Sequence, residues 1–139
     1  MSYELVLQGL EERIRTVAGI LYAGRGEPSV IQVTPSLYST FIDADRSQTG
    51  QITVMVYRTA HSVWIQWQDN ASAEREVADF INALPAAVDQ DGHLGGRITS
   101  GMAKVSRVVG SYPIVNGTRY RVLDFTSEVT DKAPYGSGI

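Results

Sequence analysis

Residues 51–68 read QITVMVYRTAHSVWIQWQ, and the spacing of their apolar groups decides the fold. Ile52, Val54 and Val56 alternate with Thr53, Met55 and Tyr57, and Val63 to Trp67 is dense in β-branched and aromatic groups. Alternation of this kind belongs to a half-buried strand. Two such runs, Gln51–Arg58 and Ser62–Gln68, flank the polar TAHS and predict a hairpin turning near His61. Both faces of each run carry apolar groups. The sheet is therefore expected to be covered on one side and partly contacted on the other.

Upstream, Tyr3, Leu7, Leu10, Ile14 and Val17 recur at steps of three and four, which predicts a helix over 2–17. Gly19 suits a left-handed cap behind it. Gly24–Ser29 reads as a turn, Ser29–Val33 and Ser36–Asp43 as short strands, and Asp43–Gly50 as a polar loop. Downstream, Asp69 and Asn70 offer N-caps to a second helix. Ala73, Val77, Phe80 and Leu84 share one of its faces, and Pro85 is expected to stop it. Arg97–Val109 predicts an irregular strand or a long loop. Asn116-Gly117 marks a tight turn before a long strand, Thr118–Val129. The expectation is one α+β domain over residues 1–130. It has a mainly antiparallel sheet of about four to five strands and two amphipathic helices packed on one face. Residues 131–139 are expected to form a flexible C-terminal tail.

The chain of 139 residues has a formal charge of −3 and no cysteine. Disulfides, zinc-thiolate sites and cysteine nucleophiles are excluded. Gripping nucleic acid takes clustered cations, whereas the arginines and two lysines here are scattered. The amphipathic, acidic start is unlike a signal peptide, and no apolar run reaches the roughly 20 residues of a membrane span. A soluble protein made in the cytosol is expected.

The stretch VDQDGHLGGRI, Val88–Ile98, gathers two aspartates, a histidine and a glycine pair. Asp89 and Asp91, like Asp43 and Asp45, have the spacing that begins a calcium loop. Such a loop requires glycine at position six and glutamate at position twelve. Those places hold Leu94 and Ser100, or Gln48 and Val54. Gly95-Gly96-Arg97 lacks the spacing of a phosphate loop. His93 and His61 have no positioned nucleophile or orienting partner in the sequence, and His61 is expected to be exposed in a turn. No catalytic residue, cofactor site or metal site is expected. The residues that remain form an acidic turn with Leu94 as a buried anchor and two permissive glycines.

Taken in order, the segments resemble the tail terminator, or tail completion, proteins of long-tailed bacteriophages. The features are a short N-terminal helix ending in Ala18-Gly19-Ile20, strands, a second helix, and a last long strand. Before that strand stands D-x-x-L-G-G at Asp91, Leu94, Gly95 and Gly96. Relatives often carry a small hydroxyl residue where this chain has His93. The resemblance implies a non-enzymatic part of the virion neck, assembled in the host cytoplasm. It implies a homo-oligomer, a hexameric ring, that caps the tail tube, stops its growth and docks the head connector. The implied partners are the major tail tube protein and the head-completion or connector protein. DNA passes through without specific binding, and no membrane is involved. Loops on a rigid scaffold carry binding. Contacts are therefore expected at Asp43, Asp45, Arg46 and Gln48, and after Gly96 at Arg97, Met102 and Lys104. Two alternatives stand beside this reading. One is another neck or minor tail protein, or its relative in a tail-like particle. The other is a small enzyme or ligand-binding domain using the His93 turn.

Overall fold

The computed structural model describes residues 3–31, 33–98 and 101–136. Its elements are α1 (Tyr3–Ile14), β1 (Tyr22–Arg25), β2 (Ser36–Thr49), β3 (Ile52–Gln66), α2 (Asn70–Asp89), β4 (Ala103–Ser111), β5 (Ile114–Val115) and β6 (Thr118–Pro134). The sheet runs β1-β2-β3-β6-β4, with β5 folded back on β6. Only β1 and β2 are parallel. The fold is α+β, as the periodicities predict.

The expected hairpin at TAHS does not exist. The chain runs straight through it as one 15-residue strand, paired with β2 on one side and β6 on the other. Thr59 and His61 point at the helices and are wholly buried, because each finds a polar partner there. The Thr59 hydroxyl meets the Tyr3 hydroxyl at 2.7 Å, and the His61 ring lies between two serines. A polar group satisfied in this way can be buried at little cost.

The actual hairpin turns at Gly50-Gln51, nine residues before TAHS begins. Thr49 faces Ile52 in register, and Gly50 supplies the positive φ of 61° that a two-residue turn requires at its first position. Asp43–Gly50, expected as a polar loop, is thus mostly the second half of β2. Its polarity is that of an edge strand wet on both faces, for Thr40–Thr49 is exposed throughout. Burial ends at Ser39, and a bulge at Ile42 then interrupts the exposed part.

Other boundaries move as well. Ser29–Val33 is not a strand in its described part, and the short strand lies instead at Tyr22–Arg25, beside the start of β2. Helix α1 ends at Ile14 and turns carry the chain to Gly19, whose φ of 94° is left-handed as expected. Asp69 caps α2 by accepting from the Ser72 N–H at 2.8 Å. Pro85 does not stop α2, which continues to Asp89. Proline removes one backbone hydrogen bond. Burial of Leu84, Ala87 and Val88 on either side of it holds the helix together. Arg97–Val109 resolves into the end of a turn and most of β4, with Thr99 and Ser100 outside the described residues. Asn116 and Gly117 form the tight turn, at φ 50° and 78°. Asp131–Pro134, expected in a mobile tail, pair with Ile52–Met55 as the end of β6, and 137–139 lie outside the described residues.

Both helices lie on one face of the sheet. Val6, Leu10 and Ile14 of α1 and Val77, Phe80 and Leu84 of α2 meet Leu37, Val63, Ile65, Leu123 and Phe125 in a single core. On the far face Trp64, Tyr120 and Val122 make a smaller cluster beside Ile31 and Tyr38. Among the described residues no helix covers the rest of that face, where Val56, Ala60 and Thr126 are half-buried. Among the described residues no helix is long and apolar enough to cross a membrane.

Candidate functional site

The marker turn is a clasp on α1. Leu94 takes a left-handed φ of 52°, followed by Gly95 at 68° and Gly96 at 83°. Three such residues in a row reverse the chain, and only the two glycines adopt this conformation without steric cost. Asp91 fixes the reversal by accepting from the Gly95 N–H at 2.7 Å. The reversal drives Leu94 inward until it is 1% exposed. It lands on Gly9 of α1, where a side chain would sit only 2.7 Å from the Leu94 Cβ. Arg97 then reaches back to Glu12 with two bonds, of 2.7 and 3.1 Å. Asp91, Leu94, Gly95 and Gly96 therefore shape and anchor the fold. His93, between them, is exposed, and its carbonyl accepts from Gly96 and Ile98.

The residues expected at an interface divide between two places. Arg97 is committed to Glu12 on the helix side. Met102 is 63% exposed at the entry to β4. Arg46 and Gln48 occupy the helix side of the β2 edge, with the Gln48 amide donating to the Gly50 carbonyl. Asp43, Asp45 and Lys104 share the far face.

Asp43 and Asp45 converge there on Arg58. Its guanidinium donates to Asp43 and to Asp45, at 2.8 Å each, and lies 3.6 Å from Glu128. In register Asp43 stands opposite Arg58, Arg58 opposite Glu128, and Glu128 opposite Lys104. A row of alternating charge therefore crosses β2, β3, β6 and β4, acidic at one edge and basic at the other. Sequence reasoning missed Arg58 and Glu128. Placing the turn at Gly50 would have aligned Asp43 with Arg58.

Towards the cluster around Trp64 the far face holds a groove of about 310 Å³, floored by Thr40, Ala60, Ser62 and Asp124. The Ser62 hydroxyl donates to Asp124 there. No histidine reaches this groove. His61 points the other way, 0% exposed, with Nδ1 2.8 Å from Ser39 Oγ and Nε2 2.8 Å from Ser127 Oγ. Ser127 donates its proton to the Thr59 carbonyl, so it accepts from Nε2–H, and Nδ1 accepts from Ser39. Burial holds the His61 pKa down, at about 4, and the ring is neutral. This linked serine–histidine–serine set has no route to solvent and serves as core polarity. Among the described residues no group of three potential ligands is arranged to hold a metal ion. No protein-family model matches the chain, and no curated protein matches it significantly.

Proposed function

We propose that the chain is a tail terminator subunit, a non-enzymatic assembly part that closes into a hexameric ring. It caps the tail tube, halts tube growth and presents a docking face to the head connector. The observation that carries this reading is the outer half of β2, Thr40–Thr49. It is exposed along its whole length, edged with charge and backed by two long strands. Such a segment is suited to assembly with another chain. The order of elements and the D-x-x-L-G-G clasp support the same assignment. A scattered charge distribution suits a ring through which DNA slides without being held.

Electron microscopy of the purified chain, alone and mixed with tail tubes, tests this. Rings should seat on tube ends and tube length should stop increasing. A chain that stays monomeric and leaves every tube end bare removes the assignment.

A further inference from the structure

Strands β2, β3, β6 and β4 alternate in direction, so the two outer strands run antiparallel to each other. Each has an open side. β1 covers β2 only as far as Ser39, and among the described residues no strand lies beyond Thr40–Thr49. Among the described residues β4 pairs with β6 alone; its first outward N–H, at Ala103, goes to the Gly92 carbonyl, and beyond it Lys104, Ser106, Arg107 and Val109 are exposed. A second copy set beside the first, without turning over, would bring its β2 antiparallel to the first copy's β4. All helices would stay on one face.

The charges on the far face suit that placement. Asp43 and Asp45 take consecutive far-face positions on β2. Lys104 and Arg107 do the same on β4, because the bulge there absorbs Ser106. An antiparallel register sets Asp43 against Arg107 and Asp45 against Lys104. Pairing two β2 edges, or two β4 edges, sets like charges together instead. Charges and bulges on an edge strand commonly serve only to keep other chains away. Opposite signs on the two edges do more, because they repel the symmetric pairings and attract the head-to-tail one. The apolar groups left exposed along both edges, Phe41, Ile42 and Val109, add surface for the contact to bury.

The geometry points to a second copy of this chain as the partner of these edges, added head to tail with β4 of one copy on β2 of the next. Main-chain hydrogen bonds supply the attraction and the charge row supplies direction. The strand contact stands apart from the tail reading, and only its closure into a ring rests on that reading.

The chain has no cysteine, so Ala44→Cys and Ser106→Cys can be made in separate preparations. Treated with a short bis-maleimide, the mixture should give a covalent dimer and neither variant should do so alone. Cross-linking of either variant by itself, or none in the mixture, overturns the proposal. The reversal Arg107→Glu, opposite the uncharged Thr126, should keep its unfolding midpoint and weaken self-association by about tenfold or more in sedimentation. Unchanged association, or a wild-type chain that stays monomeric, also overturns it. Cross-linked copies that never cap a tube would support this contact and remove the tail reading. Capping rings without the cross-link would do the reverse.

Discussion

His61 is a histidine kept from its usual chemistry. Buried between Ser39 and Ser127, it holds a pKa of about 4 against the ordinary 6.5. In the unfolded chain it takes up a proton as pH falls through 6.5, while the folded chain stays neutral until about 4. The unfolded state therefore binds more protons in that window, and stability is lost as pH falls. The gap corresponds to about 3 kcal/mol. Burial of Asp131 raises its pKa and opposes part of the loss. Comparing wild type with His61→Gln separates the two, because Asp131 is common to both. Chemical denaturation from pH 7 to 4 should show the wild type losing about 3 kcal/mol more than the variant. Parallel losses would sink the assignment of a neutral, proton-refusing His61.

Gly9 gives a second test at this scale. Gly→Ala within a helix ordinarily stabilises by about 1 kcal/mol. Here the new Cβ would lie 2.7 Å from that of Leu94, and overpacking of this kind costs about 1–3 kcal/mol. Gly9→Ala should therefore destabilise. Leu94→Gly removes the opposing Cβ and relaxes the left-handed backbone, at the cost of emptying the anchor site. In that background Gly9→Ala should cost nothing or stabilise, giving a coupling of about 1–3 kcal/mol in a double-mutant cycle. Additive effects would mean that the clasp does not press on α1.

At the scale of elements, β2 is two strands in one. Its first half lies in the core, with Leu37 and Ser39 buried, and its second half is held by one flank and by Arg58. Exposed ion pairs contribute little one at a time, and a network shared by one guanidinium contributes more. Arg58→Met keeps the aliphatic stem and leaves Asp43, Asp45 and Glu128 facing one another. Amide hydrogen exchange should then quicken about fivefold across Asp43–Thr49, while Val63 and Phe125 hold their protection. Equal change in both regions would show that the outer half does not move as a separate unit.

For the whole molecule, what the sequence disclosed depended on how local each cause was. The α2 stripe, the Asp69 cap and the Asn116-Gly117 turn rest on neighbours within a few residues, and they stand where periodicity puts them. The polarity of Thr59 and His61 is answered by Tyr3, Ser39 and Ser127, far away in the chain. In the sequence it therefore reads as exposure, and one long strand looks like two. Asp43–Thr49 failed for a related reason, since an edge strand wet on both faces has no apolar period to detect. The anchor role of Leu94 was legible, although its seat on Gly9 was not. The charge row across four strands depended on a register that the misplaced turn concealed.

Strands β3 and β6 run without interruption from the Trp64 cluster to the outer β2 edge, a span of roughly 50 Å at 3.4 Å per residue. A pull along that axis meets the hydrogen bonds between them side by side, so they share the load and yield together. A pull across the strands would break them one after another. The body and its outer edge are thus joined by a beam stiff in tension along its length. Mechanical force applied at the edge passes into the helix-covered core without crossing a hinge.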